Sequence, residues 1–346
     1  MSFFPVNKIS TYFLPRTQDI QGRIGGLEAL KAICAFMVVS LHAHSVIRDF
    51  IYPVCIIAVP IFFMISGYFL LYEIGEKTEI RLRKSCYKII KLYLLSSTIY
   101  FAWNLTGLSV QHGEDFYNTD FTAFIYDLLF NGLGQSLHLW YLTTCIYTFL
   151  LLIILLRFHI FKYVYIIAAI GLFLNIFVDH YDFQTWTNDP FRYFFLLRNI
   201  FLQGVPYMII GALCHQYENF FTLRNSSLLV ILSFCLLFIQ QIIPNIPFKL
   251  YPLPLAVSIL MWFRNIASQG SVLRFMAHIG HRYSLGIYLW HLLICDIISH
   301  ICILLIGGIP LSCMLFITFI STIGIIFIFR QLRVIIPVLK IQKDNR

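Results

Sequence analysis

The chain has 346 residues, of which 59% are hydrophobic and 17% aromatic, while only 12% are charged. A soluble domain carries about 25% charged residues, so the composition excludes a water-soluble globule of this length and makes lipid the solvent for most of it. The net charge of +9 stands in short basic clusters beside apolar segments, which is the pattern of membrane orientation signals and excludes a nucleic-acid surface.

Residues 1–26 hold Pro5, Pro15, Gly22, Gly25 and Gly26 without the apolar core of a signal peptide, and are expected to be a cytosolic segment. From Leu27 to Phe329 apolar stretches recur with no polar interval long enough to fold separately. One all-α transmembrane domain over 27–330 and a cytosolic tail over 331–346 are therefore expected. A span needs about 20 apolar residues, and ten segments qualify, at approximately 27–47, 51–72, 87–108, 137–156, 163–179, 197–217, 226–243, 251–266, 283–304 and 310–330.

The first span carries ionisable groups that are costly in hydrocarbon: Glu28, Lys31 and His42, with His44 just behind. Eleven helical positions return Lys31 and His42 to nearly one face, roughly 16 Å apart along the axis. That wall presents a cation near the cytosol and an imidazole deep in the membrane, which suits a long anionic donor whose reactive end reaches a base. A lysine snorkelling to the interface and a histidine bonded to a neighbouring helix explain the same residues.

The second span ends in Pro60-Ile-Phe-Phe-Met-Ile-Ser66-Gly67-Tyr68, where a hydroxyl and a glycine permit close helix approach. Arg81-Leu-Arg83-Lys84 and Lys88-Ile-Ile-Lys91 follow, denser in cations than a short loop needs for orientation. They are candidates for phosphate binding, with lipid headgroups as the competing partner. Residues Phe121–Asn131 are too short to span and read as an interfacial helix. His138-Leu-Trp140-Tyr141 opens the fourth span at the outer surface, either as an interface anchor or as a sugar-stacking contact. The ninth span contains Tyr283-Ser284-Leu-Gly286-Ile-Tyr288-Leu-Trp290-His291, a second intramembrane histidine.

With the N-terminus inside, Arg48, Arg192, Arg198 and Lys249 alone face outward and Lys31 lies in a span; the rest of the 25 lysines and arginines are cytosolic. This asymmetry places both termini in the cytosol. Trp103, Trp140, Tyr141 and Trp186 are candidate interface anchors. Most of the nine cysteines fall inside apolar runs without a CxxC pair and read as buried side chains, not as a disulfide or metal frame. The sequence holds no phosphate-cradling glycine loop, zincin helix or nucleophile elbow.

Taken together, Gly26-Leu27-Glu28-Ala29-Leu30-Lys31-Ala32-Ile33 with His42, Pro60 to Tyr68, Lys88 with Lys91, His138 to Tyr141, Gly204-Val-Pro206 to Gly211, and Ser284 to His291 resemble the acyltransferase-3 family of bacterial membrane proteins. Lysines at 31, 88 and 91 stand where the family usually has arginine, which keeps the charge but loses the planar fork. The resemblance implies a multi-pass protein of a bacterial cell membrane with no permanently bound cofactor. It also implies an acyl-coenzyme A co-substrate, most often acetyl-coenzyme A, and a polysaccharide or lipid-linked sugar acceptor.

On that basis His42, Lys31, Ser66 and His291 are the candidate catalytic residues. Arg81, Arg83, Lys84, Lys88 and Lys91 are candidates for the donor phosphates, and His138 and Trp140 for the acceptor. His42 is either a general base or a transient acyl carrier. A polysaccharide or lipid-linked sugar transporter is the competing class, with Lys31, His42 and His291 lining its path. An inactive relative acting as an assembly partner is a third.

Overall fold

The computed structural model describes residues 25–43, 45–106, 108, 128–129, 137–178, 198–243, 250–266, 270–308 and 313–331. Their regular structure is helical throughout, joined by turns and short irregular stretches, with no strand among the described residues. The helices are α1 (Gly25–His42), α2 (Arg48–Cys55), α3 (Ala58–Leu70), α4 (Glu76–Asn104), α5 (Trp140–Arg157), α6 (Val164–Val178), α7 (Val205–Gln216), α8 (Leu223–Ile242), α9 (Pro252–Asn265), α10 (Ser271–Ile306) and α11 (Met314–Gln331). Short 3₁₀ turns lead into α5 and α6, and a π-turn over Ile200–Gly204 leads into α7. Five helices among the described residues are long and apolar enough to cross a membrane: Gly25–His42, Arg48–Leu70, Trp140–Arg157, Leu223–Ile242 and Ser271–Ile306. Shorter apolar helices cover Phe161–Ile176, Ile200–Gln216 and Met314–Ile328.

Each of the ten expected segments falls on helix, but the boundaries differ for physical reasons. The second is broken at Ile56–Ile57 into α2 and α3. Pro60 has no N–H to offer the carbonyl of Ile56, so the ladder is interrupted there. α4 begins at Glu76, well before residue 87, and its 29 residues give about 43 Å of helix against about 30 Å of hydrocarbon. Nothing between Gly75 and the apolar stretch breaks a helix, and Glu76 and Glu79 sit in its first turn, where the dipole favours acids. The basic cluster therefore rides on helix, not on a loop. α10 similarly starts at Ser271 and ends at Gly307, which adopts a left-handed φ of 70° suited to glycine. The N-terminal 24 residues, the tail beyond 331, His44, Trp186 and the expected interfacial helix, apart from residues 128–129, lie outside the described residues.

α1 is the centre of the bundle and α8 its periphery: 67% of the first is buried and 17% of the second. α1 packs on α10 more extensively than on any other helix. Gly280 makes this possible, because a Cβ there would collide with the carbonyl of Glu28 and come within 2.9 Å of Ala32 N. Farther along, the rings of His42 and His291 meet, so the two helices run in the same direction. α4 runs with them, since Tyr100 meets Leu289 and Trp103 meets Asp296. α8 and α9 run oppositely, joined by Trp262 to Ser227 near one end and by Gln240, which accepts from Leu250 and Tyr251 N–H, at the other.

One end of the bundle collects the start of α1, the end of α3, the start of α4 and the ends of α5, α7 and α9. Gly26 abuts Phe263, Arg81 bonds the carbonyl of Leu70, Arg157 bonds Glu79, and Glu218 bonds both Tyr68 and Arg264. Lys31 and the Arg81–Lys91 cluster lie toward this basic end, whereas the opposite end has Arg48 and Arg198.

Candidate active site

Toward the other end of α1 three imidazoles come together from three parts of the chain. His42 is the last residue of α1, His291 lies in mid α10, and His138 sits in the 3₁₀ turn before α5. Ring centroids are 5.4 Å apart for His42 and His291, and 5.1 Å for His138 and His291. His138 and His291 are each only 1% exposed. Burying an imidazole that far is costly unless its polar atoms are bonded, and main-chain carbonyls meet one nitrogen of each ring here. His291 Nδ1 lies 3.0 Å from the carbonyl of Ile287 and 2.9 Å from that of Tyr288. His138 Nε2 lies 3.2 Å from the carbonyl of Leu289.

Tyrosines wall this cluster. The Tyr288 hydroxyl donates to the carbonyl of His138. Tyr100 packs 5.0 Å from the His138 ring and donates to the carbonyl of Leu289 at 2.8 Å. Tyr141 packs on Tyr288 at 5.3 Å and on Phe63 at 4.6 Å. Ser66 donates to the carbonyl of Phe62 at 2.9 Å and contacts Tyr141, so it reaches the imidazoles through tyrosine rings. Trp140 lies beneath the Arg198 guanidinium at 5.4 Å. Beyond the cluster, buried Asp296 accepts from Trp103 Nε1 at 3.0 Å.

The structure thus brings His42, His291 and His138 into one cluster, with Ser66 and Trp140 at its margin. His138 is buried against α10, and its wall contacts are protein rings. Sequence reasoning missed Tyr100, which looks like an ordinary aromatic in an apolar run; it read Tyr141 as an interface anchor or sugar contact and quoted Tyr288 without giving it a role. It also passed over Asp296, although an acid inside the ninth span was visible by the rule applied to His291. Among the described residues no group of three or more His, Cys, Asp or Glu is arranged to hold a metal ion.

At the basic end Lys31 pairs with Glu28 at 3.0 Å and lies over the Phe69 ring at 5.9 Å. Lys88 is close enough for the two ammonium groups to repel. Arg81 is committed to the α3–α4 connection: it donates to the carbonyls of Leu70 and Glu73, to Tyr72 and to Thr78, and stacks on the Tyr72 ring. Arg83 and Arg157 share Glu79, at 2.6 Å and 3.1 Å. The hydrogen bond from Arg157, joined by that from Arg83, holds the Glu79 carboxyl below its ordinary value. Lys84, Lys88 and Lys91 have no carboxylate partner among the described residues. A surface cleft of about 540 Å³ between the start of α4 and the turn before α6, lined by Glu79, Arg157, His159 and Lys162, opens at this same end, away from the imidazoles.

An apolar helical bundle with clustered imidazoles, two of them fully buried, and a basic rim at one end is a membrane protein with titratable rings in its interior. The family description of an acyltransferase domain matches residues 24–331, nearly the whole chain. The chain belongs to the acyltransferase-3 family, and residues 24–331 form its acyltransferase domain. It is also similar to an amino-acid racemase of Enterococcus faecalis, 32% identical over 146 residues, which is 39% of this chain and 20% of that protein. A serine/alanine racemase of Enterococcus gallinarum is 30% identical over 162 residues, covering 43% of this chain and 22% of that protein. The matches thus span about a fifth of the length of these curated relatives. No solved structure matches.

Proposed function

We propose that this protein moves an acyl group, in the first instance acetyl, from cytosolic acyl-coenzyme A to a hydroxyl of a cell-surface or lipid-linked polysaccharide. The basic end faces the cytosol, ten helices cross a bacterial cell membrane, and both termini are cytosolic. The observation that carries this reading is that α1 bears Lys31 near the basic rim and His42 against the buried ring of His291.

Coenzyme A phosphates bind Lys84, Lys88 and Lys91, the lysines of the cluster, which have no carboxylate partner among the described residues, with Lys31 at the mouth. Arg81 and Arg83 of the same cluster hold the helix start from which these lysines project. The pantetheine arm then brings the thioester to His42, which acts as general base on the acceptor hydroxyl or as a transient acyl carrier. Trp140 and His138 lie on the acceptor side, and Ser66 supports the tyrosine wall. No permanently bound cofactor is needed.

The test is thiol release from acetyl-coenzyme A by purified protein in the presence of candidate glycans. Free serine joins the acceptor panel because one relative is named a serine/alanine racemase. His42→Ala should abolish release in protein that folds normally, and full activity in that variant would end the proposal. The second reading, a transporter of polysaccharide or lipid-linked sugar, draws on buried Asp296, since an intramembrane acid suits a proton path. It expects no thiol release and a vesicle uptake that depends on His42.

A further inference from the structure

The tautomer of His291 follows from its neighbours. Both groups beside Nδ1 are carbonyl oxygens, at 3.0 Å and 2.9 Å, which can only accept. Nδ1 therefore carries the ring hydrogen and Nε2 carries the lone pair. Nε2 is buried and receives no hydrogen bond among the described residues. An unmet buried acceptor costs about 1–3 kcal/mol, so it is a position waiting for a donor.

His138 obeys the same logic. Its Nε2 faces the carbonyl of Leu289 at 3.2 Å, so the hydrogen is there and the lone pair is on Nδ1. Two of the three clustered rings thus commit their N–H to the main chain, and neither has a hydrogen for the other. His42 is the remaining ring in contact with His291. A centroid spacing of 5.4 Å lets facing nitrogens of two five-membered rings reach hydrogen-bonding distance, and such bonds commonly tighten only when substrate is bound.

We infer that His291 is the positioning residue for His42. Its Nε2 accepts the N–H of His42, which fixes the His42 tautomer and turns the other nitrogen's lone pair toward the reacting hydroxyl. This rests on the reading of His42 as the reacting imidazole, in its base role. In that step His42 takes the hydroxyl proton while the oxygen bonds to the thioester carbonyl carbon. The carbon–sulfur bond then breaks, and the proton passes from His42 to the departing thiolate, giving ester and free thiol. While His42 is protonated its bond to Nε2 is charge-assisted and stronger. A neutral ring in this place holds the base without lodging a carboxylate's charge in the membrane.

Two substitutions separate the atoms. In His291→Gln the amide oxygen reaches about as far as Nε2 and can accept from His42. In His291→Asn the shorter amide can keep the donation to Ile287 and Tyr288 but leaves no acceptor for His42. With kcat and acetyl-coenzyme A KM read by thiol release, Asn should lower kcat by about 10²-fold with KM nearly unchanged, the cost of a misplaced reacting group. Gln should recover most of that loss. Equal activity of the two variants, or a loss confined to KM, overturns the positioning role. His42→Ala run in parallel keeps the two ideas apart: an inactive alanine variant with equal Asn and Gln variants sinks the pairing alone, whereas an active one sinks the underlying reading. Should the Asn variant not fold, ¹⁵N spectra of histidine-labelled protein report the tautomer directly, and a His291 protonated on Nε2 alone refutes the inference.

Discussion

Replacing Gly280 by alanine tests whether the α1–α10 contact is what brings His42 to His291. The added Cβ would overlap the carbonyl of Glu28 and stand 2.9 Å from Ala32 N, both of them backbone atoms of α1 that no rotamer change can move. Alanine gains up to about 1 kcal/mol of helix propensity over glycine, but forcing an extra carbon between packed helices costs about 1–3 kcal/mol. To clear the overlap the helices must part by more than about 1 Å, and a displacement of that size at a reacting centre costs about 10²-fold in rate. Gly324→Ala in α11 is the control, because a Cβ there meets nothing within 4 Å. On the scale of soluble domains, about 2–4 °C per kcal/mol, Gly280→Ala should melt several degrees below wild type in detergent and lose most thiol release. Gly324→Ala should match or exceed wild type in both. A Gly280→Ala protein with wild-type melting and wild-type turnover would refute the reasoning that this glycine sets the distance between the imidazoles.

Changing Lys88 and Lys91 together to glutamine should raise the KM for acetyl-coenzyme A by roughly tenfold or more, as expected for two lost charge-assisted contacts, with kcat little altered; unchanged donor kinetics would remove them from the donor site. Arg81→Ala should act on stability first, since its guanidinium ties two main-chain carbonyls and two side chains, and a lowered melting temperature with an intact donor KM is the expected pair of results. Burial pulls the Glu218 carboxyl upward, but hydrogen bonds from Tyr68 and Arg264 outweigh it and the folded value lies below the ordinary one. Its contribution to stability is therefore complete above the ordinary carboxylate range, near about pH 4.3, and is lost as pH falls through the depressed value. Melting curves from pH 7 to pH 3 should fall more steeply for wild type than for Glu218→Gln, and parallel curves would contradict this.

The helical class was legible in the sequence because lipid leaves the chain little choice: apolar runs must satisfy their own backbone, and a helix does so within the segment. Their ends were less legible, since charge marks where lipid stops and not where a helix stops. That is why α4 and α10 extend back to Glu76 and Ser271, where Gly75 and Gly270 precede them. His42 and His291 stood out because an imidazole in an apolar run is expensive, and His138 was noticed for its aromatic neighbours. Their meeting was not readable, because it depends on tertiary choices such as Gly280 that a sequence shows only as a small residue. The same holds for the basic cluster. Composition presents Arg81 and Lys88 as equals, yet the guanidinium with its fork suits bridging main-chain carbonyls and was taken for that, while the lysines, point charges on long stems, were left toward the rim. Under the proposed function, the cations that meet the donor are those the fold has not tied to its own carbonyls and carboxylates.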